Sequence, residues 1–209
     1  VEASATLHAA LVAQDIAVFT GSSVDSYTEA TQTLRITTPD GARTIDAVDR
    51  VLLAVGRVRN VDMLDLEQAG VMFDRETGIP VDRHNQTNVP GIYAIGDVTP
   101  DSQWTHSANA QGRRVVQHIL FPYLPTSSRL PLYPNATFSD PEVANVGLLP
   151  EQIAQRYHPQ LITTLRWELA KTDKGYTENL AYGFVQVCAL RLSGRILGAT
   201  IVWPRASEM

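Results

Sequence analysis

Thr87-Asn88-Val89-Pro90-Gly91-Ile92-Tyr93-Ala94-Ile95-Gly96-Asp97-Val98 is the stretch on which the reading of this chain turns. Pro90-Gly91 signals a turn. The apolar run Ile92-Tyr93-Ala94-Ile95 then suits a strand buried on both faces, as in a parallel or mixed sheet covered by helices. It stops at Gly96-Asp97, and ligands bind at the carboxyl edge of open α/β sheets. Glycine there lets a ligand approach the backbone without a Cβ in the way, and a carboxylate accepts hydrogen bonds from sugar-like hydroxyls. Residues 103–121 read as a helix with Ala108, Gly112, Val115, Val116 and Ile119 as its apolar or small face. Its start offers unpaired N–H groups and a positive dipole end to an electron-rich carbonyl or phosphate. A bare Gly-Asp pair is more often a plain turn after a buried strand, so its surroundings decide.

Upstream, residues 5–14 are Ala-rich with Leu7, Ala10 and Leu11 on one helical face. Leu34-Arg35-Ile36-Thr37 and Thr44-Ile45-Asp46-Ala47 flank the turn Pro39-Asp40-Gly41 and predict a hairpin. Val51-Leu52-Leu53-Ala54-Val55, closed by Gly56, predicts a second strand buried on both faces. The stretch from Arg57 to Val89 is irregular, with a turn at Glu76-Thr77-Gly78.

Downstream, the composition changes near Phe121-Pro122-Tyr123, and a Pro/Ser linker over 125–134 opens a second region. Strands are predicted at 135–138, 143–147, 160–167, 183–190 and 195–203, the last two joined through Ser193-Gly194. A short helix is predicted from Pro150 to about Tyr157, with proline in its first turn. This region is α+β and antiparallel in character.

Composition narrows the function. Of 209 residues, 44% are hydrophobic and 19% charged, the balance of an ordinary globular chain. The net charge of −5, with no basic run longer than Arg113-Arg114, argues against a nucleic-acid partner. No apolar stretch is long enough to cross a bilayer. The one cysteine, Cys188, excludes an internal disulfide or a CxxC motif, and a reducing, cytoplasmic setting is the expectation. Cys188 lies in an apolar run and reads as a buried structural thiol. His8, His84, His118 and His158 are scattered without metal-ligand spacing, so no metal is expected. The chain begins Val1-Glu2-Ala3-Ser4 and stops just after a strand-like run, which reads as an internal piece of a longer protein.

Four motifs in order resemble the FAD-dependent pyridine nucleotide–disulfide oxidoreductases, a family that includes dihydrolipoamide dehydrogenase, glutathione reductase and mercuric reductase. Leu52-Leu53-Ala54-Val55-Gly56-Arg57-Val58-Arg59-Asn60 is similar to the segment leaving the family's nicotinamide domain. Residues 87–98 resemble its second FAD motif. Tyr133-Pro134-Asn135-Ala136-Thr137-Phe138-Ser139-Asp140-Pro141-Glu142 and its continuation to Gly147 resemble the opening of the interface domain. Gly183-Phe184-Val185-Gln186-Val187 and Gly194-Arg195-Ile196-Leu197-Gly198-Ala199-Thr200-Ile201-Val202 continue that match; the last leans toward the dihydrolipoamide dehydrogenase and mercuric reductase branch.

The resemblance implies an α/β FAD/NAD(P)-binding, Rossmann-like portion followed by an α+β dimerisation domain, both incomplete. Residues 1–58 are then the end of the NAD(P)-binding domain, 59–129 part of the FAD-binding domain, and 130–209 a truncated interface domain forming a homodimer. It further implies that Asp97, beside Gly96, holds the ribityl chain of FAD. Gln103, Trp104, Thr105 and His106 fall where the helix start meets the flavin's pyrimidine edge, through main-chain N–H groups. Gly56 matches a position where the backbone approaches the nicotinamide of NAD or NADP. Arg59 stands where many relatives have proline, which puts the local turn in doubt. No GxG loop, cysteine pair or His–Glu pair occurs, so no catalytic residue is assigned and the chain alone is expected to be inactive. The expected function is that of the longer oxidoreductase, acting on a disulfide, dihydrolipoamide or Hg(II). A non-catalytic flavin-binding or dimerising scaffold is the alternative.

Overall fold

A computed structural model describes residues 2–100, 103–123 and 133–209. Most of the linker expected over 125–134, and Asp101-Ser102 of the turn before the long helix, lie outside the described residues. The chain divides into two compact units: Val1–Val55 together with Ala136–Met209, and Gly56–Asn135.

In the first unit, helix α1 (Glu2–Val12) turns Ala10 inward, with Leu7 and Leu11 half-buried beside it as the helical spacing predicts. The three-stranded antiparallel sheet that follows contains β1 (Ser23–Thr28), β2 (Thr33–Thr38) and β3 (Gly41–Ile45), in that order. The β2–β3 hairpin is the expected one, with Leu34 opposite Ile45 and Thr38 Oγ1 donating to the Gly41 carbonyl at 2.9 Å. β1 was not foreseen. Its sequence, Ser-Val-Asp-Ser-Tyr-Thr, has no one-sided pattern, and β2 supplies its order through pairs such as Val24 with Ile36.

The larger sheet of this unit is β4 (Asn135–Thr137), β5 (Glu142–Gly147), β6 (Ile162–Glu168), β7 (Phe184–Leu190) and β8 (Ile196–Trp203), in the order β4-β5-β8-β7-β6. β5, β6, β7 and β8 pair antiparallel, Val143 opposite Val202 and Cys188 opposite Gly198, as the turn signals predict. Helix α3 (Pro150–Arg156) starts on Pro150, whose fixed φ suits a first turn, and the Gln152 side chain accepts from the Leu149 N–H at 3.0 Å. It lays Ile153 on Cys188 and Leu197, with Leu148, Tyr157, Ile162 and Leu190 around them. Cys188 is 5% exposed, the buried thiol expected. A five-residue helix, α4 (Asp173–Thr177), was not foreseen; the Thr172 hydroxyl caps it by accepting from the Gly175 N–H at 3.1 Å.

The strand expected at residues 51–55 is corrected: it pairs with nothing among the described residues, and Leu52 and Val55 are 90% and 91% exposed. Apolar composition permits a buried strand, but only a neighbouring strand and a covering layer make one.

The second unit folds around Val61, Leu66, Val71, Ile79 and Ala94, with Phe73, Val81, Val89 and Val98 packed against them. The strand expected at 92–95 is also corrected. This stretch is held by a single bridge between Gln86 and Tyr93 and by Asn85, whose carbonyl and side-chain amide grip Ala94 at 3.0 and 3.3 Å. Helix α2 (Thr105–Leu120) matches the expected 103–121 closely. It stops at Phe121, which precedes Pro122 and is therefore disfavoured from helical conformation. Its predicted inner face is corrected too: Ser107 and Gln111 are fully buried, whereas Val116 and Ile119 are each 55% exposed.

Candidate functional site

Gly96-Asp97-Val98 forms a tight single turn, with Gly96 at φ +73°. The turn is pinned from both sides. The Gly96 N–H donates to Oε1 of the buried Gln111 on α2. The Gly96 carbonyl accepts from the N–H and hydroxyl of Thr99 at 3.0 and 2.8 Å, and Thr99 is fully buried. A Cβ at Gly96 would stand 3.0 Å from the Ala108 Cβ. The room left by this glycine admits the close approach of α2.

Asp97 projects from the pinned turn with its side chain 52% exposed. One Asp97 oxygen lies 3.4 Å from Nη1 of Arg57, which also donates to the Gln103 carbonyl at 3.0 Å. Exposed on both sides, this ion pair contributes at most about 1 kcal/mol. It nevertheless joins two expected site positions, Asp97 and Gln103, through a residue the sequence reading had not assigned a role.

Gln103 and Trp104 lead into α2, with Trp104 as the capping residue, extended and without a side-chain acceptor for the helix N–H groups. Thr105 and His106 make the exposed first turn, and the Trp104 and His106 rings run nearly parallel with centroids 6.3 Å apart. Gly56, just before Arg57, has φ +130°, a backbone state that favours glycine, and a Cβ there would meet nothing within 4 Å. Its backbone is open to approach.

Sequence reasoning missed Gln111, Arg57 and the part played by Arg59. Arg57 and Arg59 are alternate residues, which face the same side in extended backbone, and that spacing was the available signal. Gln111 carried none, because hydrophobic periodicity places a glutamine outside. The histidines read as scattered are partly together: the His84 and His118 rings stack with centroids 4.1 Å apart, and Tyr93 meets His118 edge-on. Burial, then the charge of His118, holds His84 below the usual imidazole value. Among the described residues no cluster of three or more His, Cys, Asp or Glu is arranged to hold a metal ion.

A half-exposed carboxylate on a rigid turn, beside a helix start without a side-chain cap, is a donor–acceptor set that fits a polyhydroxyl chain and an electron-rich ring edge. An antiparallel α+β module accompanies it in the chain. The second unit thus carries an exposed carboxylate near an uncapped helix start, and the first an antiparallel five-stranded sheet. Comparison with known proteins makes this specific. The description of pyridine nucleotide-disulphide oxidoreductases matches residues 1–112, and that of their dimerisation domain matches residues 133–209. The chain belongs to this family of FAD- and pyridine-nucleotide-dependent oxidoreductases.

The dihydrolipoyl dehydrogenase of Chlamydia pneumoniae is 31% identical over 208 residues, covering all of this chain and 44% of that protein. The Geobacillus stearothermophilus dihydrolipoyl dehydrogenase is 36% identical over 167 residues, covering 80% of this chain and 34% of its own length. Among solved structures, LpdA from Mycobacterium tuberculosis superposes with a TM-score of 0.84 at 28% identity, covering 99% of this chain and 44% of that one. The HOCl-induced flavoprotein disulfide reductase RclA from Escherichia coli, at 22% identity and a TM-score of 0.83, covers all of this chain and 47% of its own; it shares the fold. The chain thus spans less than half the length of these relatives. Among the described residues no helix is long and apolar enough to cross a membrane.

Proposed function

We propose that this chain supplies the ribityl and flavin-edge part of an FAD site, together with the association module, of a dihydrolipoamide dehydrogenase-like oxidoreductase. Residues 59–129 belong to the FAD-binding domain, 1–58 close the NAD(P)-binding domain, and 130–209 form the homodimer contact. Asp97 accepts hydrogen bonds from ribityl hydroxyls. The main chain of Gln103, Trp104, Thr105 and His106 faces the pyrimidine edge of the flavin, where the positive helix end favours negative charge. Gly56 leaves backbone open to the nicotinamide nucleotide. FAD, when bound, supplies the redox chemistry linking NAD(P)H to a cysteine pair and then to dihydrolipoamide, a disulfide or Hg(II). The names of the curated relatives favour dihydrolipoamide. A cytoplasmic setting is part of the same reading, and the Cys188 thiol is free and buried.

The observation that carries this reading is the Asp97 carboxylate, half-exposed on a turn fixed by Gln111 and Thr99 immediately before the α2 start. The alternative, a flavin-binding or dimerising scaffold without the redox chemistry, keeps the same Asp97 site and differs only in whether bound flavin is reduced.

An anaerobic titration of the full-length protein with NADH and with NADPH separates the two readings. Flavin absorption that bleaches, followed by a long-wavelength thiolate-to-flavin band, is expected and identifies the donor. Bound flavin that neither nucleotide reduces favours the scaffold, and a colourless protein that takes up no FAD contradicts the flavin assignment.

A further inference from the structure

Arg59 makes two directed contacts inside the second unit. Its Nε donates to the Thr99 carbonyl at 3.0 Å, and its Nη1 donates to the Glu76 carbonyl at 2.9 Å. The guanidinium therefore bridges two loops. One is the Asp74–Gly78 turn, closed by reciprocal main-chain hydrogen bonds at 3.0 and 2.8 Å and by the Asp74 carboxylate, which accepts from Glu76 and from Thr77. The other is the Gly96–Thr99 loop that carries Asp97. A third tie joins the same loops: the Ile79 N–H donates to the Val98 carbonyl at 2.8 Å. Gly78 makes room for the bridge, since a Cβ there would run into the Val98 carbonyl and the Arg59 side chain.

From Arg59 the connection to the site is continuous. Arg59 fixes the Thr99 carbonyl, and the Thr99 N–H and hydroxyl both fix the Gly96 carbonyl, one residue before Asp97. Nothing in this chain of contacts touches the Asp97 carboxylate itself.

We propose that Arg59 is a positioning residue for the flavin site, a latch that holds the Asp97 turn against the Asp74–Gly78 turn through Thr99. The inference rests on the reading of Asp97 as the ribityl acceptor and deepens it. A planar fork with donors in fixed directions can hold two carbonyls at once, which lysine cannot do. The consequence is specific: Arg59 affects FAD binding only through Asp97. A residue that merely stabilised the unit would weaken FAD binding whether or not Asp97 were present.

The test is a double-mutant cycle in the full-length holoprotein, stripped of FAD and re-titrated, with flavin fluorescence giving the dissociation constant. Asp97→Ala is expected to weaken FAD binding about 10- to 100-fold, the range for losing a hydrogen bond to a charged group. Arg59→Leu is expected to weaken it at least about 5-fold, Arg59→Lys less. Because residues in one network couple, the Arg59→Leu/Asp97→Ala pair is expected to bind within about 2-fold of Asp97→Ala alone. Should Arg59→Leu fail to fold, Thr99→Val cuts the same relay at the hydroxyl and is expected to show the same non-additivity. An Arg59→Leu protein that binds like wild type, or losses that multiply in the double variant, overturns the latch while leaving the Asp97 reading in place. An Asp97→Ala protein that binds FAD like wild type overturns that reading, and the latch falls with it.

Discussion

Replacing Gly198 by alanine probes the tightest backbone contact of the association module. Gly198 sits in the middle of β8, where the chain leaving β5 crosses it and the Leu148 N–H donates to the Leu197 carbonyl at 3.0 Å. A Cβ at Gly198 would fall on the Leu148 carbonyl oxygen and stand 2.8 and 2.9 Å from the Leu148 nitrogen and carbonyl carbon. These are backbone atoms, so no flexible side chain can swing away. The two segments must separate, and the Leu148–Leu197 hydrogen bond opens with them. Overpacking costs about 1–3 kcal/mol and the lost bond about 1 kcal/mol more, for a total of about 2–4 kcal/mol. Gly194→Ala is the matched control: φ is +67° there, yet a Cβ meets nothing within 4 Å, so only the left-handed penalty of about 1–2 kcal/mol applies. Urea denaturation followed by tryptophan fluorescence reads both variants, since Trp203, 6% exposed at the end of β8, reports on this sheet. A Gly198→Ala protein as stable as Gly194→Ala would refute the crossing.

Three further outcomes are expected. Gln111→Leu strips the acceptor from the Gly96 N–H in a buried site and is expected to cost about 1–3 kcal/mol in thermal or urea unfolding. Leu197→Ala removes the side chain packed between Ile153 and Cys188 and is expected to cost about 2–5 kcal/mol by the same assay. His84 carries a pH signature: its folded value lies below the usual imidazole value, so the unfolded chain takes up the proton first. Its contribution to stability is complete above about pH 6.5 and is lost as pH falls below that. A pH series of melting temperatures is therefore expected to be flatter between about pH 7 and 5 in His84→Gln than in wild type; equal slopes would contradict a lowered His84 value.

Legibility in the sequence tracked how local the governing forces are. The α2 helix, the β2–β3 hairpin and the β7–β8 pair were readable because periodicity and turn residues act within a few positions. The run at 51–55 misled for the opposite reason: apolar side chains show what a segment tolerates, whereas a strand forms only where another strand supplies hydrogen bonds. β1 escaped for the converse cause, a polar segment ordered by its neighbour. The turn at Gly96-Asp97 and the start of α2 were legible in the sequence, but the contacts that hold them were not. Gln111 is buried because it satisfies the Gly96 N–H and Thr99 because it closes the turn, while Arg59, half-buried, is held where two distant carbonyls converge on it. The Gln111 and Arg59 contacts span 15 to 40 positions, which no short sequence window displays.

If Asp97 and the α2 start form part of a flavin site, isothermal titration of FAD into the stripped full-length protein beside Asp97→Asn reads it out. The asparagine keeps shape and an acceptor oxygen but loses the charge. Weakening of about 10-fold, with the circular dichroism of bound flavin altered in the visible, is expected. Equal affinity and an unchanged flavin spectrum would contradict it.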